Sequence, residues 1–156
     1  MMATLGKAAG VAGAFVAGEQ VVIDYLIQKA NSYVYSTPAP PALSATLSAS
    51  VNLIEQGDQL RAHLQTLIAY LKANLHCKKW QLMPSDTAVQ PLMVGGNHDT
   101  LALSEYLQTC GVLVPAIRPP TVPAGTSRLR ISLSAAHSIK DIQELINALH
   151  KAEGQL

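Results

Sequence analysis

From Ala42 to about Leu75 the chain is rich in Ala, Leu, Gln and Lys, and this composition predicts one long helix. Pro38, Pro40 and Pro41 stand just ahead of it, where they break the β-branched and aromatic stretch Ser32–Thr37 and suit a first helical turn. Gly57 is the weak point, the place for a kink or a break. Beyond the helix the pattern alternates. Trp80–Met83 and Val89–Val94 read as strands, and Gly95-Gly96-Asn97 as a turn. Asp99 or Thr100 is placed to cap a helix running to about Thr109, with Gly111 at its end. Val112–Ile117 and Arg128–Leu133 read as strands. Ser138 is a good N-cap for Ile139–Lys151, whose Ile142, Leu145, Ile146 and Leu149 form one helical face. A long helix leading into strands interleaved with helices is an α+β pattern without internal repeats.

The N-terminal stretch is different. Thr4–Gly13 is small and glycine-punctuated, with glycines at 6, 10 and 13 that suit tight turns and close approach to a ligand. Ala14–Ala17 reads as a short buried strand, and Glu19–Ala30 as a helix with Val22, Tyr25 and Leu26 on one face. Two Met precede this run, an odd start for a natural chain.

Charge narrows the function classes. Charged residues make up 13% of the 156, about half the usual share, while 49% are hydrophobic. An alanine-rich compact domain is one reading. The favoured one is that part of the surface is meant to be covered by another domain or subunit. Net charge is +1, with no Lys/Arg run and only seven aromatic residues, which argues against nucleic-acid binding. The longest apolar run, Val11–Gly18, is too short to span a bilayer, and no signal-peptide pattern is read, so a cytoplasmic protein is expected. Cys77 and Cys110 lack metal-site spacing, so free thiols and no metal are expected.

Two stretches carry candidate chemistry. A lysine among glycines and small residues, as Lys7 is, can come close to a planar cofactor and form a Schiff base with an aldehyde. Thr4, three residues earlier, offers a hydroxyl to a phosphate oxygen. On spacing alone an ordinary surface lysine is the commoner alternative. In Ala116–Ser132, three prolines stiffen a loop between two strands. Arg118 stands at its entry, and Arg128 and Arg130 point to one face of the strand beyond it. A guanidinium in a rigid frame suits a carboxylate, although a solvated strand face fits the same pattern.

These stretches resemble one family. Thr4–Gly13 looks like the cofactor-lysine segment of the α-oxoamine synthases, which are fold-type-I pyridoxal phosphate enzymes. Ala116–Ser132, running on through Leu133-Ser134-Ala135-Ala136-His137, is similar to the same family, as are Tyr35-Ser36-Thr37 and Gln90-Pro91-Leu92. The run Arg118-Pro119-Pro120-Thr121-Val122-Pro123 points to the branch that joins L-alanine to a pimeloyl thioester, with loss of carbon dioxide, on the way to biotin. The Phe that often follows the family's Lys-Ala pair is Ala9 here.

The resemblance implies roles. Lys7 would hold pyridoxal 5'-phosphate and move the α-proton, and Thr4 would bind the cofactor phosphate. Arg130 would hold the amino-acid carboxylate, Thr121 would contact substrate, and Arg118 would lie near the acyl entrance. Ser36 and Thr37 would reach the cofactor phosphate of the neighbouring subunit in a homodimer. It implies the C-terminal small domain of the fold over 41–156, with its long linking helix and a small, mostly antiparallel sheet, and a remnant of the large cofactor domain over 1–40. The family's ring-nitrogen Asp and ring-stacking His lie upstream of the lysine, and six residues precede Lys7, so this polypeptide alone is expected to be an inactive part of the enzyme. Two alternatives stay open at this point: a sister α-oxoamine synthase with another acyl donor, and a non-catalytic dimerisation or binding module.

Overall fold

The computed structural model describes residues 1–155. The chain divides into two compact units, Met1–Asp58 and the residues from Gln59 on.

The first unit opens with a two-stranded antiparallel sheet, β1 (Met2–Thr4) against β2 (Ala14–Val16), with Thr4 opposite Ala14. Three helices come next: α1 (Gln20–Lys29), α2 (Asn31–Val34) and α3 (Pro41–Glu55). The expected strand at Ala14–Ala17 is present but not buried; all three residues of β2 are exposed. An apolar run foretells a strand and says nothing about whether a second layer covers it. The β-branched stretch from Ser32 yields a helical turn instead of an extended segment. The amides of Tyr33 and Val34 both donate to the Ala30 carbonyl, and the Ser36 hydroxyl donates to the carbonyl of Ser32. Strand-favouring side chains give a strand only beside a partner ladder, and none lies here. Pro41 occupies the first turn of α3, where its missing N–H costs nothing.

The long helix breaks at Gly57. The Gln56 amide still bonds the Asn52 carbonyl, but that of Gly57 turns to Ile54, and α4 (Asp58–Asn74) starts afresh.

In the second unit α4 leads into β3 (Gln81–Leu82), β4 (Val89–Gly95), α5 (Asn97–Thr109), β5 (Ala116–Ile117), β6 (Ser127–Ser132) and α6 (Ile139–Gln155). The four strands form one antiparallel sheet in the order β3-β4-β6-β5. Alternation along β4 and β6 turns Gln90, Leu92, Leu129 and Ile131 inward. There the three apolar residues join one core with Leu67, Ile68 and Leu71 of α4, Leu103 and Leu107 of α5, and the apolar face of α6. The other face carries Pro91 opposite Arg130 and Met93 opposite Arg128. Of the expected strand Val112–Ile117 only the last two residues pair.

Helix ends obey local chemistry. At the start of α6 the Ser138 amide donates to Asp141 Oδ2 at 2.7 Å, and the Asp141 amide donates to Ser138 Oγ at 3.3 Å, a reciprocal capping box. The Ser138 amide, and then the Ser138 hydroxyl donating to the same Oδ2 at 2.9 Å, hold the Asp141 carboxyl below its ordinary range. α5 starts earlier than expected. Its N-cap is Gly96, and Thr100, buried one turn in, donates its hydroxyl to the Gly96 carbonyl at 2.5 Å. Its end is as expected: Gly111 sits at φ +81, its amide bonds Gln108, and the Val112 amide reaches back to Leu107. Near the end of α6, Glu153 accepts the backbone amides of Lys78 and Lys79 at 2.5 and 2.6 Å, which tie the segment before β3 to that helix.

Candidate active site

Lys7 sits in the bend after β1, within the first unit, and its side chain is exposed. The bend is well fixed. The Lys7 carbonyl accepts the Gly10 amide at 2.9 Å, and Gly10 adopts φ +64, a value that favours glycine. The Leu5 amide bonds the Gly13 carbonyl, and the Val11 amide bonds the Leu5 carbonyl. Ser50 of α3 donates its hydroxyl to the Ala9 carbonyl at 2.6 Å, anchoring the bend from the helix. Val11 is the buried plug beneath it, 4% exposed. A rigid bend thus presents a free amine, and a Cβ added at the preceding Gly6 would meet nothing within 4 Å. Thr4, at the end of β1, is exposed three residues earlier. Ser36 and Thr37 lie just past α2 and are exposed; the Ser36 hydroxyl is engaged with Ser32.

The other candidates lie in the second unit. Arg118, Pro119, Pro120 and Thr121 form a turn closed by the Thr121 amide on the Arg118 carbonyl at 3.0 Å, and the Pro119–Pro120 bond is cis. Both Arg118 and Thr121 are exposed. Arg128 and Arg130 share the sheet face away from the helices, as their spacing predicted, yet they are not equivalent. Arg128 is half-buried and spends its guanidinium on the protein: Nε donates to the Thr126 carbonyl at 3.0 Å, Nη2 to Thr126 Oγ1 at 3.2 Å, and Nη1 to Met83 Sδ at 3.5 Å. Arg130 is exposed, and its side chain makes no hydrogen bond or ion pair with the described residues. Of the two, Arg130 is the cation available to a carboxylate. Period-2 spacing gave both arginines equal standing; the Thr126 contacts that separate them had no sequence signal. Among the described residues no group of three or more His, Cys, Asp or Glu side chains is placed to hold a metal ion.

A family model, aminotransferase class I and II, matches residues 1–149. The chain belongs to that family. Its relatives include the 8-amino-7-oxononanoate synthases of Aromatoleum aromaticum, 55% identical over 97% of this chain, and Paracidovorax citrulli, 57% identical over 95%. The chain spans about two fifths of the length of these curated relatives, 39% and 37%. Among solved structures, the 8-amino-7-oxononanoate synthase from Francisella tularensis superposes with a TM-score of 0.83 at 26% identity, covering 99% of this chain and 44% of that one. A Sphingomonas wittichii serine palmitoyltransferase gives the same score at 25% identity, with coverage of 99% and 40%. The α+β architecture is therefore that of fold-type-I enzymes.

The residues present suit the cofactor of this family, pyridoxal phosphate. A primary amine on a glycine-shaped bend fits its aldehyde, and a nearby hydroxyl fits its phosphate.

Proposed function

We propose that this chain forms the C-terminal part of the active site of an 8-amino-7-oxononanoate synthase, a pyridoxal 5'-phosphate-dependent acyltransferase of biotin synthesis. The reaction condenses L-alanine with a pimeloyl thioester and releases carbon dioxide and the free carrier. The observation that carries this reading is identity above 50% over nearly the whole chain to synthases of that name.

When bound, the cofactor supplies an electron sink for bond cleavage at the alanine α-carbon. Lys7 holds it through the side-chain amine and then moves the proton at the α-carbon. Thr4 donates its hydroxyl to the cofactor phosphate. Arg130 would pair its guanidinium with the alanine carboxylate and so orient the bond to be cleaved. Thr121 contacts substrate, and Arg118 lies near the acyl entrance. Ser36 and Thr37 reach the cofactor phosphate of the neighbouring subunit, so the working form is a homodimer, and its place is the cytoplasm. Residues 1–40 belong to the large cofactor domain, and 41–156 to the small domain with its linking helices.

The test is a segment exchange. This chain replaces the matching two fifths of the Aromatoleum aromaticum synthase, and carbon dioxide release from L-alanine and pimeloyl-coenzyme A is measured. Turnover near that of the parent is expected, with Lys7→Ala lowering it by about three orders of magnitude or more. A folded, cofactor-loaded chimera without turnover contradicts the reading. Turnover with a long-chain or short-chain thioester in place of pimeloyl would move the chain to a sister synthase.

A further inference from the structure

We propose that Arg128 is a positioning residue. It acts as a strut that fixes the Arg118–Thr126 loop on the sheet and, through that loop, places the acyl substrate. The second half of the proposal rests on the reading that Thr121 contacts substrate and that Arg118, at the start of the same loop, lies near the acyl entrance.

Arg128 stands on β6, an interior strand paired on both sides, with Met93 of β4 and Ile117 of β5 as its neighbours. Its backbone is therefore among the most constrained in the second unit. From that base its guanidinium grips one residue twice, at the carbonyl and at the hydroxyl of Thr126, while its third nitrogen faces the sulfur of Met83. Thr126 in turn grips the loop twice. Its hydroxyl and its amide both donate to the Pro123 carbonyl, at 2.8 and 3.2 Å. The chain of contacts thus runs from strand to Arg128, to Thr126, to Pro123, two residues from Thr121.

The chemistry of the contacts matters. A hydroxyl that donates to one carbonyl can still accept from a guanidinium, so Thr126 serves both partners at once. A planar fork meets two acceptors on one residue; an ammonium on a flexible stem does not. No acidic side chain among the described residues pairs with Arg128, so geometry rather than charge neutralisation explains its placement. Proline at 119, 120 and 123 limits the loop's own conformers but leaves few amides with which to bind it to the body of the unit. The strut supplies what the prolines cannot.

Two readouts separate the halves of this proposal. Hydrogen exchange on the full chain reads the loop directly. Arg128→Ala and Thr126→Val are each expected to speed exchange of the Thr121 and Thr126 amides by about tenfold, with Leu129 unchanged. Thr126→Val leaves the strand intact, so it decides the matter if Arg128→Ala disturbs folding. Arg128→Lys should not restore protection, because charge without the fork is insufficient. In the holoenzyme that carries this chain, the same variants should raise KM for pimeloyl-coenzyme A by about fivefold or more and leave KM for L-alanine unchanged. Unchanged exchange in both variants, or full rescue by lysine, overturns the strut. Faster exchange with an unchanged thioester KM overturns its link to substrate. Absence of turnover in the unmodified holoenzyme overturns the functional reading instead, and the exchange result still decides the strut.

Discussion

The first unit leaves Val22, Tyr25, Tyr33, Tyr35 and Leu53 largely exposed, and among its described residues only Val11 and Gly57 are buried. The second unit gathers eighteen buried apolar residues into one cluster between a sheet and three helices. The same chain therefore holds a region whose fold is closed by its own side chains and a region whose apolar face stays open. The candidate cofactor lysine sits in the open region and the free arginine in the closed one. Low charge content led to the expectation of a surface meant to be covered by another domain or subunit; residues 1–58 carry many of the large apolar side chains that are exposed among the described residues.

The contrast can be broken by mutation. Leu129→Ala or Leu149→Ala, both fully buried, should cost about 3 kcal/mol in chemical denaturation, because each leaves a cavity in a packed core. Leu53→Ala, at 71% exposure, should stay within about 0.5 kcal/mol. Comparable losses at both sites would mean that the first unit's face is covered in solution. Gly111→Ala forces a side chain into a left-handed conformation at the end of α5 and should cost about 1–2 kcal/mol. Ser138→Ala removes one arm of the α6 capping box and should cost about 1 kcal/mol.

Acid should weaken the second unit through two carboxylates. The backbone amide of Lys79, then that of Lys78, holds the Glu153 carboxyl below its ordinary range, as the Ser138 amide and hydroxyl do for Asp141. Groups with lowered folded pKa contribute stability above their unfolded pKa and lose it as pH falls through the folded value. Stability should thus decline below the ordinary carboxylate range, and Glu153→Gln should flatten that decline in denaturation curves taken at stepped pH. The smallest effect concerns thiols. Burial, then the Glu153 charge, pushes Cys77 up to about 11, while Cys110 is exposed. Alkylation at mildly alkaline pH, read by mass spectrometry, should therefore label Cys110 before Cys77.

Much of the second unit was legible. The Ser138 box, Gly111 at a helix end and alternation along Val89–Val94 and Arg128–Leu133 are local signals, and local chemistry decides them. The buried Ala14–Ala17 strand failed because burial depends on a covering layer that periodicity does not encode. The segment before β3 is tied down by Glu153, more than seventy residues away from the amides it accepts, a separation no window can read. Of the candidate site, Lys7, Thr4, Thr121 and Arg130 stood out through resemblance. Spacing alone could not separate Arg130 from Arg128, because their difference lies in a contact with Thr126.

The proposed roles of Lys7 and Arg130 toward one cofactor are tested most directly by substrate binding. In the holoenzyme that carries this chain, binding of L-alanine is monitored by the absorbance change of the cofactor held at Lys7, with and without Arg130→Ala. Loss of a charge-assisted pair worth about 2 kcal/mol should weaken alanine binding about 30-fold while the cofactor stays bound. An unchanged alanine affinity in the variant would contradict the claim.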